Sequence, residues 1–359
     1  MSIDFNSERW RRVIDNYRLW WKGELDRPLV PITVRDRDPG RPEPDVPLFS
    51  QATCTDLTVS ADKIVDRIDY ELSQQSYYGD AYPYFGFQVF GPGVVAAFLG
   101  AELDNSTGRV WFHPVGDPSI HDLQFKFDPD DLWFRRLCDI YAAGIERGEG
   151  QVLMSMTDLG GNLDILSTFR SGDKLLLDLY DNPEVVKRLT WEAHEAWHSF
   201  YDSLNEILQP INPSYSDWSG LLSDKPSYML QCDFCYMIGP EMFDEFVKPE
   251  LEATCSRLAN SFYHLDGVGQ LPHLDSLLNI QKLKGVQWVP GSGKPDCAHW
   301  PEVYRKIRAA EKLIQLLGDV DILRAVGEQL GSTHGIQLKG AKAESGDEAQ
   351  SKLAAFGID

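Results

Sequence analysis

Short apolar runs alternate with helical patterns along most of this chain. The apolar runs cover residues 29–34, 152–156, 214–218, 261–264, 286–289, 313–317 and 336–339. Apolar residues recur every three or four positions over 182–208, 240–258, 274–283, 301–312, 320–330 and 347–356. Strands that alternate with helices predict a parallel sheet with helical crossovers. Seven or eight strands in 359 residues predict a single α/β domain over residues 1–359, folded as a (β/α)8 TIM barrel.

Two regions do not fit this alternation. Residues 229–233 have the composition of a strand but follow 214–218 too closely for a crossover helix, so we expect a loop or irregular extension there. Residues 78–114 are predicted to be an insertion after the first strand, with room for a hairpin of its own. Together with the charged, proline-rich segment 36–47, this makes residues 36–115 a loop and insertion region.

The charge balance narrows the possible partners. The chain has 34 basic and 55 acidic residues, a net charge of −21 with the eight histidines neutral. Such a chain repels phosphate backbones and anionic membranes, which excludes nucleic-acid and membrane partners. No apolar run approaches the roughly 20 residues that a membrane span needs, the first ten residues lack a signal-peptide core, and the six cysteines form no disulfide framework. We therefore expect a cytoplasmic protein that binds a small-molecule substrate.

In a barrel, the functional residues lie at the C-terminal ends of the strands. His264 and Asp266 are two apart at one predicted strand end, so their side chains point to the same side. With Cys297 from the loop 290–297, they would supply an imidazole, a carboxylate and a thiolate, a set that suits zinc or another divalent ion with one position left open. The alternative is a His–Asp hydrogen bond that closes a turn, with Cys297 an ordinary thiol. The polar residues at the strand ends are Arg35, Asp158, Asn162, Asp164, Asp217, Asp233, His264, Asp266 and Lys339.

Two further motifs can have a purely structural role or a chemical one. Residues 194–198 match His-Glu-x-x-His, the metal-binding helix of zinc proteases. This helix begins like an ordinary crossover helix, and we expect His194 and His198 on its solvent-facing side, which makes a protease the less favoured interpretation. Cys232 and Cys235 form a Cys-x-x-Cys motif, but no second pair accompanies it. Two small buried thiols that flank Asp233 are favoured there.

The order of several loose motifs carries a family resemblance. The motifs are Arg27-Pro28-Leu29-Val30 with Arg35 and Arg41, then Gly79-Asp80-Ala81-Tyr82-Pro83 and Gly91-Pro92-Gly93, then residues 157–172, Asn182-Pro183-Glu184, and 238–243 with Pro249. In this order, from residue 27 to the end, the chain resembles the uroporphyrinogen decarboxylase superfamily, which includes the corrinoid- and thiol-linked zinc methyltransferases. The resemblance implies a TIM barrel and one of two activities.

The first implied activity is a decarboxylation that needs no cofactor. In this interpretation Asp80 stabilises a protonated pyrrole, while Arg35 and Arg41 hold the carboxylates of the substrate. The decarboxylases have a tyrosine in the segment after the second strand, where this chain places Phe169. A net charge of −21 also opposes the attraction of a substrate with many carboxylates.

The second implied activity is methyl transfer, and it is the one that we predict. The methyltransferases bind zinc through His-x-Cys and a distant cysteine, where this chain has His264, Asp266 and Cys297 as predicted ligands. Asp158 and Asp233 would orient the substrate or act as acid and base, and a corrinoid protein or a thiol would accept the methyl group. The predicted substrate-binding residues are Arg35, Arg41, Asn162, Asp164, Asp217, Trp218 and Lys339. Cofactor-free decarboxylation through Asp80 stays the alternative, with a non-enzymatic small-molecule-binding barrel or a zinc protease behind it.

Overall fold

Strands and helices alternate through the computed structural model, which describes residues 3–86 and 90–358. The strands are β1 (Pro31–Arg35), β2 (Gln75–Gly79), β3 (Tyr84–Phe85), β4 (Glu102–Asp104), β5 (Trp111–His113), β6 (Leu153–Met154), β7 (Ser227–Gln231), β8 (Asn260–Asp266), β9 (Gly285–Val289), β10 (Leu313–Leu317) and β11 (Ile336–Lys339). The helices are α1 (Ser7–Trp21), α2 (Gln51–Thr55), α3 (Ala61–Ser73), α4 (Val95–Phe98), α5 (Leu132–Gly148), α6 (Asn162–Phe169), α7 (Gly172–Asp181), α8 (Pro183–Leu208), α9 (Pro240–Phe246), α10 (Lys248–Arg257), α11 (Leu274–Leu278), α12 (Pro301–Ala309), α13 (Val320–Leu330) and α14 (Gly346–Ala354). Short 3₁₀ helices cover Ile120–Asp122, Asp233–Met237, Val268–His273 and Cys297–His299.

Five strands form one parallel sheet in the order β11-β10-β9-β8-β7. Single parallel bridges add Leu29 beside Gln337 and join Met156 to Asp217, while β3 pairs with β6 in parallel. The strands of the large sheet are buried on both faces, which is why their sequences are mostly apolar and do not alternate between apolar and polar residues. The predicted α/β class with a parallel sheet is confirmed, and its closure into an eight-stranded barrel stays a prediction.

The N-terminal part of the chain adds antiparallel pairs. β1 pairs with β2, while Leu29, at the start of the same apolar run, bonds to β11 of the large sheet through Ile336 O and Leu338 N. Within the predicted insertion, β4 and β5 form the expected hairpin, with Leu103 opposite Phe112. α1 packs against the large sheet, where the Trp20 ring stacks on the Phe262 ring of β8 with centroids 5.7 Å apart.

The segment 229–233 is the main correction to the predicted fold. Residues 227–231 form β7 at the edge of the large sheet, so the expectation of a loop was wrong. The chain needs no crossover helix before β7, because the preceding segment folds back on itself through an antiparallel bridge between Tyr215 and Ser223. The Asp217 carboxylate then accepts a hydrogen bond from Met229 N at 2.7 Å, which joins this segment to β7 through a side chain.

The longest helix follows its sequence signals. α8 has Pro183 at its first position and Glu184 in its first turn, both favourable at a helix N-terminus. Leu189, Ala193 and Phe200 are fully buried along its apolar stripe, as expected for a crossover helix. Among the described residues, no helix combines the length and the apolar character that crossing a membrane requires.

Candidate active site

A row of polar side chains crosses the large sheet. Gln231, His264, Gln287, Gln315 and Gln337 are in register, one on each strand from β7 to β11. Because side chains in register on parallel strands point to the same side, the five share one face of the sheet. The four glutamines are buried. Buried polar groups require hydrogen-bond partners, so only a few orientations are open to each side chain of this row.

Three possible metal ligands converge at the end of the row nearest β7. Asp233 follows β7 directly, and His264 and Asp266 lie at the C-terminal end of β8. Each offers one donor atom, and these atoms lie within 4.8 Å of one another. His264 Nε2 is 3.7 Å from Asp266 Oδ2. One imidazole nitrogen and two carboxylate oxygens form a donor set that Zn²⁺, Mn²⁺ or Fe²⁺ accepts.

A chain of amides fixes the orientation of the imidazole. Gln315 Nε2 donates to the backbone oxygen of Ser219 at 3.2 Å, and Gln287 Nε2 donates to Gln315 Oε1. Gln287 Oε1 is therefore an acceptor, and it lies against His264 Nδ1. This assigns the proton of the imidazole to Nδ1 and leaves Nε2 toward Asp266, the orientation that a metal-binding histidine requires.

The neighbouring carboxylates favour the protonated form of His264. Burial alone would lower the pKa of His264, but the Asp266 and Asp233 carboxylates outweigh burial and raise it. Burial raises the pKa of Asp233 against the effect of His264, and the Asp266 carboxylate adds to the rise. A divalent cation would displace the imidazole proton and compensate both carboxylates, so the electrostatics of the group suit a metal ion.

Two further carboxyl groups lie beside the donors. Burial, reinforced by the Asp233 carboxylate, raises the pKa of Asp158 and of Asp164 to about 7. Asp164 accepts hydrogen bonds from the backbone N–H of Asp233 at 3.0 Å and of Phe234 at 2.8 Å. Asp158 Oδ1 accepts one from Gln231 Nε2 at 3.2 Å. Asp164 therefore positions the segment that carries Asp233, and Asp158 is a group that can exchange a proton near neutral pH.

A mainly apolar cavity of about 320 Å³ opens beside Asp164 and Asp233. Its walls come from the β4–β5 hairpin, from α6 and from the segment after β7, so the predicted insertion contributes directly to the site. This volume suits a small molecule, with Asp164 and Asp233 as its acidic side chains and Ser167, Thr168 and Gln231 as further polar ones. The apolar walls are formed by Val110, Trp111, Phe112, Ile165, Phe234 and Met237.

Trp218 lies against His264, and Lys339 lies against Trp218. The rings of Trp218 and His264 meet edge to face with centroids 5.2 Å apart. Lys339 Nζ lies 5.6 Å from the centre of the Trp218 ring and donates to Trp218 O at 3.1 Å. Asp217 is buried, and its carboxylate accepts from the backbone N–H of Ser219 and of Met229, so it holds backbone instead of lining a cavity. Trp218 thus separates the donor group from Lys339.

Asp80 is held by structural partners. Its fully buried carboxylate forms a two-pronged ion pair with Arg27, at 2.7 and 2.9 Å, and accepts from Val30 N at 3.0 Å and Asn16 Nδ2 at 2.9 Å. Four hydrogen bonds saturate the carboxylate, so Asp80 has no capacity left for a substrate. The predicted catalytic role of Asp80 is therefore not supported by its surroundings.

The predicted carboxylate clamps do not meet Asp80 either. The Arg35 guanidinium binds the Gln74 side chain at 2.7 and 2.9 Å, and Arg41 binds Asp66 at 3.0 Å. Both arginines are engaged with residues of α3 or its C-terminal end, away from the row on the large sheet. The convergence of Asp80, Arg35 and Arg41 on one cleft, which decarboxylation requires, is absent from these contacts.

Two other predicted site residues point elsewhere. Cys297 is not part of the donor group: its buried thiol donates to Trp288 O at 3.7 Å, and burial raises its pKa, so it stays protonated. Asp233 takes the third position that the sequence assigned to Cys297. Asn162 Nδ2 donates to Glu250 Oε2 at 2.8 Å, which ties α6 to α10 instead of facing the cavity.

The two histidines of α8 are buried, so their predicted solvent exposure was wrong. His194 Nδ1 lies 3.6 Å from Glu250 Oε2, and His198 Nε2 lies 3.2 Å from Thr254 Oγ1. The cause is α10, which covers this side of α8 and places the polar side chains of Glu250 and Thr254 against the two imidazoles. Neither histidine belongs to the group of possible metal ligands found among the described residues. The motif cysteines, Cys232 and Cys235, are buried free thiols as predicted.

The four glutamines of the row are functional candidates that were not predicted from the sequence. Each stands alone within an apolar strand, as in Val286-Gln287-Trp288 and Ile314-Gln315-Leu316. A single amide in an otherwise apolar run was a readable signal, because such a group must find a buried partner. The signal repeats in four strands, and the parallel register turns the repeats into one row.

Comparisons with known proteins show the fold alone. No protein-family model matches the chain, and a search of curated proteins finds no match. Several solved structures are similar, among them a methyltransferase from Methanosarcina mazei. The two sequences are 14% identical, and the structures superpose with a TM-score of 0.55. The matched region covers 89% of this chain and 95% of the methyltransferase chain. The chain therefore shares an overall α/β fold with this methyltransferase.

Proposed function

We propose that this protein is an enzyme that transfers a methyl group with the help of a divalent metal ion, on a (β/α)8 barrel. The observation that carries the proposal is the convergence of Asp233, His264 and Asp266 at the strand ends. The similar structure from Methanosarcina mazei bears the name of a methyltransferase, which agrees with this activity. The motif order that resembles the uroporphyrinogen decarboxylase superfamily supports the same assignment.

Asp233, His264 and Asp266 would hold the ion. An ion held there would supply Lewis-acid chemistry, favouring the thiolate form of a bound thiol or the departure of a leaving heteroatom. The set contains two oxygens and one nitrogen, so Zn²⁺, Mn²⁺ and Fe²⁺ are all candidates. Gln287 holds the His264 ring with Nε2 toward the site, and Asp164 holds the backbone of Asp233.

The transfer moves one methyl group from a heteroatom of the donor to the acceptor. A thiol, or the corrinoid of a partner protein, is the proposed acceptor. With a thiol, the new sulfur–carbon bond forms as the old carbon–heteroatom bond breaks, and the electron pair of the broken bond stays on the donor heteroatom. The thiol proton ends on that heteroatom, and Asp158 can carry it because its pKa is about 7. The mainly apolar cavity beside Asp233 would accept the methyl donor.

Metal analysis tests this proposal most directly. Protein purified without a histidine tag is assayed by mass spectrometry for bound metal, and apo-protein is titrated with Zn²⁺ and with Mn²⁺. We expect one ion per chain. Replacing Asp233 or His264 by Ala should weaken binding at least about 100-fold, because even the loss of a residue that merely supports a ligand costs roughly 10- to 100-fold.

Matched substitutions separate this site from the alternatives. Cys297→Ala and the exposed His299→Ala should keep the affinity of the unmodified protein. Metal-loaded protein should transfer methyl groups from members of a methoxy, methylthio and methylamino panel to 2-mercaptoethanol. Absence of stoichiometric binding of any divalent ion would overturn the proposal, and so would affinity that survives His264→Ala.

A further inference from the structure

A second cavity, of about 170 Å³, lies between the C-terminal end of β11 and the N-terminal part of the chain. It is far larger than the roughly 30 Å³ that one water molecule occupies in the liquid. Three tyrosines contribute to its wall, from α1 and from the segment before β3 and β3 itself. It lies on the far side of Trp218 from the donor group, and it is lined by Tyr17, Thr33, Tyr82, Tyr84, Gln337 and Lys339, among others.

Lys339 is the one charged side chain among the residues that line this cavity. Its ammonium donates to Trp218 O, and no carboxylate lies within ion-pair distance of it among the described residues. The nearby Asp217 is occupied by two backbone N–H groups. Burial lowers the pKa of Lys339 to about 8, against the effect of Asp217. An ammonium carries three N–H groups, so Lys339 has donors left for a ligand.

Two buried polar groups stand together in the same wall. The Tyr17 hydroxyl lies beside the Gln337 side chain, no other described residue bonds this hydroxyl or Gln337 Oε1, and Tyr17 and Gln337 are each only 1% exposed. A hydroxyl and an amide oxygen can each take part in more than one hydrogen bond, so both keep capacity for a ligand. The Tyr17 hydroxyl supplies a donor, and Gln337 Oε1 supplies an acceptor.

We propose that this cavity binds a small organic carboxylate that carries a hydroxyl group. The carboxylate would accept hydrogen bonds from Lys339 Nζ and from the Tyr17 hydroxyl, and the ligand hydroxyl would donate to Gln337 Oε1. The tyrosine rings would pack on the short carbon skeleton. The ligand would lie one side chain away from His264, because Trp218 contacts both His264 and Lys339. Binding in this cavity needs no metal, so the inference stands apart from the proposed methyl transfer.

Titration calorimetry with glycolate and lactate tests the inference. We expect binding with 1:1 stoichiometry, weaker binding of acetate and propionate, which lack the hydroxyl group, and no binding of lactamide, which lacks the charge. Chelation of metal with EDTA should leave the affinity unchanged, since the donor group is on the other side of Trp218. Inorganic phosphate, a larger and doubly charged anion, should not compete.

Substitutions assign the binding to this cavity. Lys339→Met and Lys339→Gln should raise the Kd for lactate at least tenfold, and Tyr17→Phe should raise it by a smaller factor because the ring is kept. Lys342→Met, an exposed lysine three residues further along, is the matched control and should bind as the unmodified protein does. If the Lys339 variants do not fold, Tyr17→Phe alone decides. The inference is overturned if no hydroxycarboxylate binds, or if binding is unaffected by Lys339→Met or, where that variant does not fold, by Tyr17→Phe.

Discussion

Gln287 connects His264 to the rest of the polar row, and its loss has two calculable effects. Its Oε1 lies against His264 Nδ1, and its Nε2 donates to Gln315 Oε1. Gln287→Leu would leave both groups unpaired in a buried environment, so we expect a loss of about 1–3 kcal/mol in the free energy of unfolding. We also expect metal affinity to fall about 10- to 100-fold, because the imidazole would no longer be oriented.

Urea unfolding and metal titration of the same variant measure these two effects. Gln329→Leu is the control, since the Gln329 amide, which lies in α13, donates to Ala298 O and to no other of the described residues. It should leave metal affinity at the value of the unmodified protein. Equal metal affinity in Gln287→Leu would show that the amide chain does not orient His264.

His198 links stability to pH. Burial, together with His194 and Arg257, lowers the pKa of His198 from 6.5 to about 3. Below pH 6.5 the unfolded chain therefore binds a proton at His198, whereas the folded chain keeps His198 neutral. The free energy of unfolding is unaffected by His198 above pH 6.5, and it falls by up to about 1.4 kcal/mol for each pH unit as the pH decreases from 6.5 toward 3.

We expect His198→Gln to flatten the dependence of the unfolding free energy on pH between 6.5 and 4, measured by urea unfolding at each pH. The exposed His299, paired with Asp296, provides the control variant His299→Gln, which should keep the original slope. An unchanged slope in His198→Gln would mean that His198 is protonated in the folded protein.

At the scale of elements, Gly161 sets the distance between α6 and β7. Its φ of −90° is open to any residue, so only space requires glycine here. A Cβ at Gly161 would lie 2.2 Å from the backbone oxygen of Gln231. Gly161→Ala should therefore push α6 away from the strand end that leads to Asp233, at a cost of about 1–3 kcal/mol in unfolding free energy.

Gly239 offers a closely matched control for this substitution. It also precedes a helix, with a φ of −82°, but a Cβ there would meet nothing within 4 Å. Any loss of helix capping is shared by the two alanine variants, so the difference in their thermal or urea unfolding isolates the clash. Gly161→Ala should also weaken metal binding, and equal stability of the two variants would contradict the close approach.

The sequence predicts the helices and strands of this fold better than it predicts which elements pack against them. The helix 183–208 and the parallel strands from residue 260 onward follow from local periodicity, which is why they could be predicted. The burial of His194 and His198 depends on α10, a helix some 50 residues away along the chain, and no local pattern reveals that cover. β7 was missed for a similar reason, since its connection to the preceding segment runs through the Asp217 side chain.

The candidate site shows the same division. His264 and Asp266 were identified from one strand end, where a spacing of two fixes their common side. The third donor depended on which strand lies beside β8, and the parallel pairing of β7 with β8 brings Asp233 there in place of Cys297. Residues that are adjacent in the sheet but distant in the chain are therefore the part that the sequence alone leaves open.

At the scale of the whole molecule, Trp218 lies between a group of acidic side chains and one basic side chain. The side toward Asp233 carries carboxyl groups and suits a cation, whereas the cavity beside Lys339 carries one ammonium and suits an anion. A net charge of −21 would attract a metal ion over long distances and repel carboxylates. Carboxylate binding must then depend on short-range contacts inside the second cavity, and it should strengthen with ionic strength as the repulsion is screened.

Removing the metal should lower the stability of the whole molecule without unfolding it. Asp233, His264 and Asp266 lie at strand ends, outside a large apolar core that their side chains do not complete. A metal that binds only the folded state adds RT ln(1 + [metal]/Kd), about 2.7 kcal/mol at a hundredfold excess over Kd. We expect EDTA to lower the Tm by the corresponding amount while the far-UV circular dichroism stays native.

Two variants serve as controls for this effect of the metal. Asp233→Ala should show neither the gain in Tm with metal nor the loss with EDTA, and Cys297→Ala should show both. An apo-protein that is unfolded at room temperature would instead make the metal a structural centre, because a core that forms only with its ion loses its fold on chelation.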